Sequence, residues 1–252
     1  MAKSPAGVQS VTRTFKILEC ITTAEDNASL SEIAAAVQIP VPTTHRILQA
    51  LSEMGYVRQV AGRRYGLGPK FITMGEVASR QLGSGAQHRL AELAEQLGET
   101  ANMAILDTDM AMYVAQVPSS RSMRMFTEVG RRVPMHATGV GKAILAQLDD
   151  EHVRSIVARA GMPANTPNSL SSVEALLKEL AATRARGYAS DDNEQEIGVR
   201  CLSVAIPQAP NPSAISVSGP VTRVDADFAE RAVPLLKQVA REVSADITSM
   251  MR

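Results

Sequence analysis

The sequence predicts an α+β chain: a winged helix-turn-helix head, a connecting helix, and a larger α/β domain. Three observations predict it. Residues 30–64 read LSEIAAAVQIPVPTTHRILQALSEMGYVRQVAGRR, two segments with helical apolar spacing around a break, followed by a hairpin. Residues 100–117 hold two apolar runs on either side of a polar turn. The chain has 252 residues, so a head of about 70 residues leaves ample chain for a second core.

Taking the elements in order, Val11, Phe15, Leu18 and Ile21 share one side of a helix over residues 8–22, which can pack under the helix pair. In that pair Ile33, Ala34 and Val37 share one helical face, as do Ile47, Leu48 and Leu51. Ser29 with Glu32 makes a capping box, Pro40 and Pro42 separate the two helices, and Gly55 ends the second. Residues 56–60, a turn at 61–64 and residues 65–67 form the wing.

In such a head the second helix enters the major groove, so its outward face carries the chemistry. That face offers Thr43, Thr44, Arg46 and Gln49, with Arg63 and Arg64 at the wing tip and Arg13 on the first helix able to reach phosphate. Taken singly, the threonines also suit helix capping and the others an ordinary solvated surface. Their co-occurrence on this frame points to double-stranded DNA.

The charge balance agrees. Overall there are 26 basic and 26 acidic residues, but residues 1–70 hold eight Lys/Arg and five Asp/Glu, which makes the head +3 and the remainder −3. A modestly positive head suits an oligomer in which several heads share the electrostatic work. Cys20 and Cys201 are too few for a disulfide framework, and there is no CxxC or HExxH pattern, so neither a metal nor a cofactor is expected. With no apolar run of membrane-spanning length and no export signal, the expected compartment is the cytoplasm.

Beyond the head, residues 70–82 read as a linker helix broken by Gly83-Ser84-Gly85, and the second domain begins with a helix at 86–97. Residues 100–106 and 110–117 form a hairpin, residues 123–128 a third strand, and 130–134 a loop. Helices follow at 136–148 and 150–160, then one opened by a capping box of Ser171 with Glu174 and closed by Gly187. Strands at 188–191, 201–207 and 215–218 complete a mixed sheet, and residues 225–252 form a last helix kinked or broken at Pro234. The expected domain limits are 1–69, 70–85 and 86–252.

Thr138 can cap the helix that starts at Gly139 and present its N–H groups to an anion, although its own cap and water would satisfy that end equally. A nucleotide loop is excluded, because the positions that would need Gly and Ser/Thr are His136 and Ala143. Met103, Met123, Met125 and Met135 are core fillers or an adaptable apolar wall. An enzyme with Cys201 as nucleophile and His136 as base, a cysteine-dependent hydrolase or transferase, is the alternative, and no Cys motif supports it.

The residues resemble the IclR family of bacterial transcriptional regulators over nearly the whole chain. The resemblance is carried by Leu30-Ser31-Glu32-Ile33-Ala34, Thr43-Thr44-His45-Arg46-Ile47-Leu48 and Tyr65-Gly66-Leu67-Gly68 in the head. In the second domain it is carried by His136-Ala137-Thr138-Gly139-Val140-Gly141-Lys142-Ala143, Gly187-Tyr188-Ala189 with Asp191, Glu194, Gly198 and Cys201, and Ser216-Val217-Ser218-Gly219-Pro220. The family often has Lys-Ser where this chain has Val41-Pro42. The resemblance implies a GAF-like effector domain whose pocket lies between the sheet and the Thr138-Gly139 turn. It implies Asp191, Cys201, Ser216 and Ser218 as the polar side of that pocket, for which the methionines named above, Met123 among them, would form the apolar wall. Dimers through heads and linker helices, pairs of dimers joined through the effector domains, and small organic acids or aromatic catabolites as effectors are further implications.

Overall fold

The computed structural model describes residues 6–24, 27–82, 86–125 and 127–250, which form two compact units, 1–78 and 79–252. The expected break at Gly83-Ser84-Gly85 lies outside the described residues.

The first unit contains α1 (Ala6–Thr23), β1 (Ala28–Ser29), α2 (Leu30–Val37), α3 (Val41–Glu53), β2 (Val57–Val60), β3 (Arg64–Leu67) and the start of α4 (Lys70–Leu82). The capping box forms as expected: Glu32 N–H donates to Ser29 Oγ and the Glu32 carboxylate accepts from Ser29 N–H. The break between the helices is made differently. Gln38 adopts the left-handed conformation, φ 55°, and closes α2, while Pro40 stands at the N-cap of α3. Gly55, φ 80°, closes α3: Gly55 N–H reaches Ser52 O and Tyr56 N–H reaches Leu51 O, the paired bonds of a Schellman turn. The wing is three-stranded in the order β1-β3-β2, because Ala28 and Ser29 pair with Tyr65 and Arg64.

Ile17, Leu18, Ile21, Ile33, Leu48 and Leu51 fill the core of this unit. The expected stripe on α1 is therefore rotated. Val11 and Phe15 are exposed, and Phe15 with Leu18, Ile47, Met54, Tyr56 and Phe71 lines an open apolar groove.

The second unit is a six-stranded sheet ordered β6-β5-β4-β9-β8-β7, made of β4 (Thr100–Asp107), β5 (Met110–Val117), β6 (Arg132–Val133), β7 (Ala189–Asp192), β8 (Val199–Ala205) and β9 (Ser213–Pro220). Every pairing among these strands is antiparallel rather than mixed. One face packs against α5 (Gln87–Leu97) and α9 (Ala226–Met250) through Leu90, Leu93, Met103, Ile215, Phe228 and Leu236. The other face packs against α6 (Gly139–Leu145), α7 (Asp150–Ala160) and α8 (Val173–Arg186) through Tyr113, Val140, Ile144, Leu176 and Leu180.

Three expectations are corrected here. Residues 123–125 and 127–128 are not a strand, and Phe126 lies outside the described residues; the β5 edge is covered instead by Arg132 and Val133, which pair with Met112 and Ala111. The segment before them is held through side chains, with Thr100 Oγ1 donating to Met125 O and Thr127 Oγ1 to Asn102 Oδ1 at 2.7 Å. The N-cap of α8 is Ser172, which accepts from Ala175 N–H, so Glu174 falls one position short of a capping box and pairs with Arg154. Finally, α9 runs unbroken through Pro234, because its packed face compensates for one missing N–H.

Candidate functional site

Two places carry polar chemistry that the cores do not consume. The first is the outward row of α3. Helical spacing sets Pro42, His45, Arg46 and Gln49 on it, all exposed, with Thr43 half-buried beside them. Gln49 Nε2 donates to Glu53 Oε1 at 3.3 Å, which orients its amide along the helix. Thr44 does not belong to this row. It is 0% exposed, and its hydroxyl lies 3.3 Å from Ile39 O and 3.2 Å from Pro40 O, so it binds the turn to the helix from inside.

His45 is exposed on this row, next to Arg46, and sequence reasoning passed over it. Its spacing of three from Pro42 and four from Gln49 was the available signal. At the wing tip Arg63 is exposed and left-handed, φ 58°. Arg64 is drawn back instead: it pairs with Glu32 at 3.0 Å and donates to Asn27 O at 2.8 Å, so part of its charge is already neutralised. Arg13 is half-buried and lines the apolar groove together with Arg46.

The second place is a cavity on the α6 face of the sheet. Its floor is Asp191 from β7, Cys201 from β8 and Ser218 from β9; the start of α6 closes one side with Thr138 and Gly139. Tyr113 and Val133 stand at the sheet edge, and the loop before β6 contributes Met125, Thr127 and Arg131. The free volume is about 30 Å³, far below the roughly 300–1,000 Å³ of a pocket for a drug-sized ligand.

Each polar wall has a local cause. Asp191 is buried, and its Oδ1 accepts Glu194 N–H at 2.8 Å and Gln195 N–H at 3.3 Å. Burial pushes its carboxyl up to about 7 against these two bonds, with the Glu194 charge adding. The turn it nucleates places Glu194 against Lys142 Nζ at 2.5 Å. Lys142 is only 1% exposed, a cation inside the domain whose charge is taken up by Glu194. This pair joins residues 52 apart, and sequence reasoning did not find it. The lysine was visible only as one position of a family motif.

Thr138 caps α6 as expected, accepting from Gly141 N–H at 3.1 Å, and its hydroxyl also donates to Pro134 O at 2.7 Å. Thr138 thus satisfies one N–H at the start of the seven-residue α6, and Thr138 and Gly139 form one wall of the cavity. Gly139 is needed for closeness, since a Cβ there would lie 2.9 Å from Cys201 Sγ.

Cys201 is fully buried beside Asp191, and burial pushes its thiol up to about 11, the opposite of an activated nucleophile. His136 is engaged by Pro163 O, 3.1 Å from Nε2, and burial lowers its pKa. Nothing in these bonds brings His136 to Cys201. Ser216 is buried but does not line the cavity, and its Oγ has no hydrogen-bond partner among the described residues; Asn102 Nδ2 and Glu194 Oε2 share that condition. Met123 is not on the wall at all: it is 72% exposed, and Met125 takes the expected place.

Comparison with known proteins now decides what this pairing of head and pocket is. Residues 74–245 match the model of the bacterial transcriptional regulator IclR C-terminal family, and residues 10–61 that of the IclR helix-turn-helix domain. The chain belongs to the IclR family. It is a ligand-responsive transcriptional regulator with a DNA-binding head and an IclR-type effector domain.

The transcriptional repressor IclR of Escherichia coli (strain K12) is 38% identical over 97% of this chain and 92% of its own length. The regulator KdgR of Dickeya chrysanthemi is 31% identical over 96% of this chain and 81% of its own. Among solved structures, the Thermotoga maritima IclR superposes with a TM-score of 0.76 at 27% identity, covering 95% of this chain and 99% of that one. As in that family, the head here is the helix-turn-helix and the pocket unit the C-terminal domain. Among the described residues no helix is long and apolar enough to cross a membrane.

Proposed function

We propose that this IclR-family regulator binds operator DNA through α3 and the wing, as a homodimer, and that a small organic or aromatic acid in the α6 cavity controls that binding. The observation that carries the reading is the outward row of α3: exposed side chains with donors and acceptors on a helix whose other face is core. His45, Arg46 and Gln49 read base edges, with Thr43 beside them, while Arg63 and Arg13 touch phosphate. Thr44 and Arg64 hold the frame.

The homodimer is supported by the apolar side chains the head leaves exposed: Val11 and Phe15 on α1, Met54 after α3, Ile72 and Met74 on α4. A second copy covers them, and two heads then meet two half-sites. The domains are taken as 1–69 and 86–252, with 70–85 as the linker, and the compartment as the cytoplasm. In the cavity, Asp191 accepts from an effector hydroxyl, Ser218 and Cys201 complete the polar floor, and Thr138 and Gly139 the side.

The test is binding of the full chain to duplex DNA from its own upstream region, with and without a panel of organic and aromatic acids. A specific complex altered by one acid is the expected result. No specific complex at any salt concentration would overturn the reading.

A further inference from the structure

We propose that Arg131 holds the charged end of the effector, so that the pocket selects a monocarboxylate over its uncharged amide. The proposal deepens the effector reading above and rests on it.

The cavity is lined by two carboxylates, Asp191 and Glu196. An anion entering between them is repelled unless a cation offsets them. Lys142 cannot serve, because its ammonium is buried at 2.5 Å from Glu194. Arg131 is the single basic side chain among the described lining residues. Its neighbours are already paired: Arg132 with Asp107, Arg200 with Asp192 and Arg223 with Glu99, whereas Arg131 makes no ion pair among the described residues. A guanidinium left unpaired beside two carboxylate-bearing walls is available to a third carboxylate, and its fork matches one in a bidentate manner.

Its backbone is held in place for that task. Tyr113 N–H donates to Arg131 O at 3.0 Å, Gly130 N–H donates to Tyr113 O at 2.7 Å, and Arg131 N–H reaches Glu128 O at 3.1 Å. The α-carbon is thus fixed at the sheet edge, where β6 begins, while the side chain is exposed at the cavity mouth. The Tyr113 phenol is buried, lines the same cavity and makes no side-chain hydrogen bond among the described residues. A carboxylate there receives the guanidinium fork and the phenolic O–H together. The rest of the ligand reaches inward to Asp191, Cys201 and Ser218.

The experiment is calorimetry on the full chain with glycolate, benzoate and 4-hydroxybenzoate, each matched to its primary amide. Wild type is compared with Arg131→Gln, Arg131→Lys and Tyr113→Phe. Arg131 is exposed, so its variants keep the fold, which circular dichroism verifies. An acid that binds wild type is expected to lose about ten- to a hundredfold in affinity in Arg131→Gln, the usual range for a charge-assisted bond. It should lose less in Arg131→Lys, and the matching amide should bind weakly and equally to both. An acid that binds Arg131→Gln as tightly as wild type, or an amide that binds wild type as tightly as its acid, overturns the role of Arg131 and leaves the effector reading standing. If none of the acids binds wild type, both fall.

Discussion

At the scale of single residues, Asp191 concentrates the chemistry of the pocket, because it is a carboxylate without water around it. Burial raises its pKa from 3.8 to about 7. Between those values the folded chain holds a proton that the unfolded chain has released. The stability this contributes is therefore fully present below about pH 4 and is lost as pH rises through 7, at up to about 1.4 kcal/mol per pH unit. Burial also raises Glu194, which acts in the same direction, while the lowered pKa of His136 opposes it below the ordinary histidine value. We expect urea unfolding of the second unit to show this decline between pH 5 and 7. Asp191→Asn should flatten the slope, since an amide oxygen still accepts from Glu194 and Gln195. An unchanged slope in that variant would remove Asp191 as its origin.

Residue identities were only partly legible in the sequence. Arg46 and Gln49 are exposed as their helical spacing implied, and Arg63 as its place at the wing tip implied. Thr44 shares their neighbourhood but turns inward to bond the preceding turn, and Arg64 is claimed by Glu32, a partner 32 residues away. Met125 rather than Met123 faces the cavity because the segment is a side-chain-tethered loop, and strand alternation does not apply to it.

At the scale of elements, α6 is the piece on which the pocket depends. Gly139 lets it approach the sheet closely, and Gly141 lets the segment before α6 fold back against it: a Cβ on Gly141 would lie 2.4 Å from Met135 O. Its Lys142 fastens the turn after β7, and with it Asp191, to the helix. Removing one partner of such a buried pair strands the other charge, at a cost of about 3–5 kcal/mol. Lys142→Met should therefore unfold the second unit at much lower denaturant. Lys142→Met combined with Glu194→Leu should recover most of the loss, because neither charge is then left alone. Additive losses in the double variant would mean that the two residues act separately. The capping box of α2 and the glycine stop of α3 were readable from short motifs, since they join residues three to five apart. The Lys142–Glu194 bond has no local pattern to read.

At the scale of the whole molecule, charge is divided between a basic head and an acidic remainder, and the head exposes an apolar stripe. DNA affinity should then come from several weak phosphate interactions shared by paired heads. We expect the logarithm of the binding constant to fall linearly with the logarithm of salt concentration. Arg63→Ala should make that slope shallower by about one for every phosphate the side chain neutralises, across all sequences alike. Arg46→Ala should instead cost about 1–3 kcal/mol on the preferred site and narrow its advantage over random DNA. Mobility-shift titrations at several salt concentrations separate the two. An Arg63→Ala slope equal to wild type would take the wing tip off the DNA.

What the sequence determined by itself was local: helix-turn-helix spacing, the caps of α2 and α6, glycine stops, the hairpin of β4 and β5, and the order of domains. These depend on side-chain period and on bonds a few residues apart, both present in the linear chain. Tertiary structure alone decided which polar groups are paired. It buried Lys142 against Glu194, turned Thr44 inward, raised Asp191 by desolvation, and left Arg131 unpaired at the mouth of the pocket. Burial and long-range pairing set the energy of a charge, and neither is fixed until the sheet and α6 close around it.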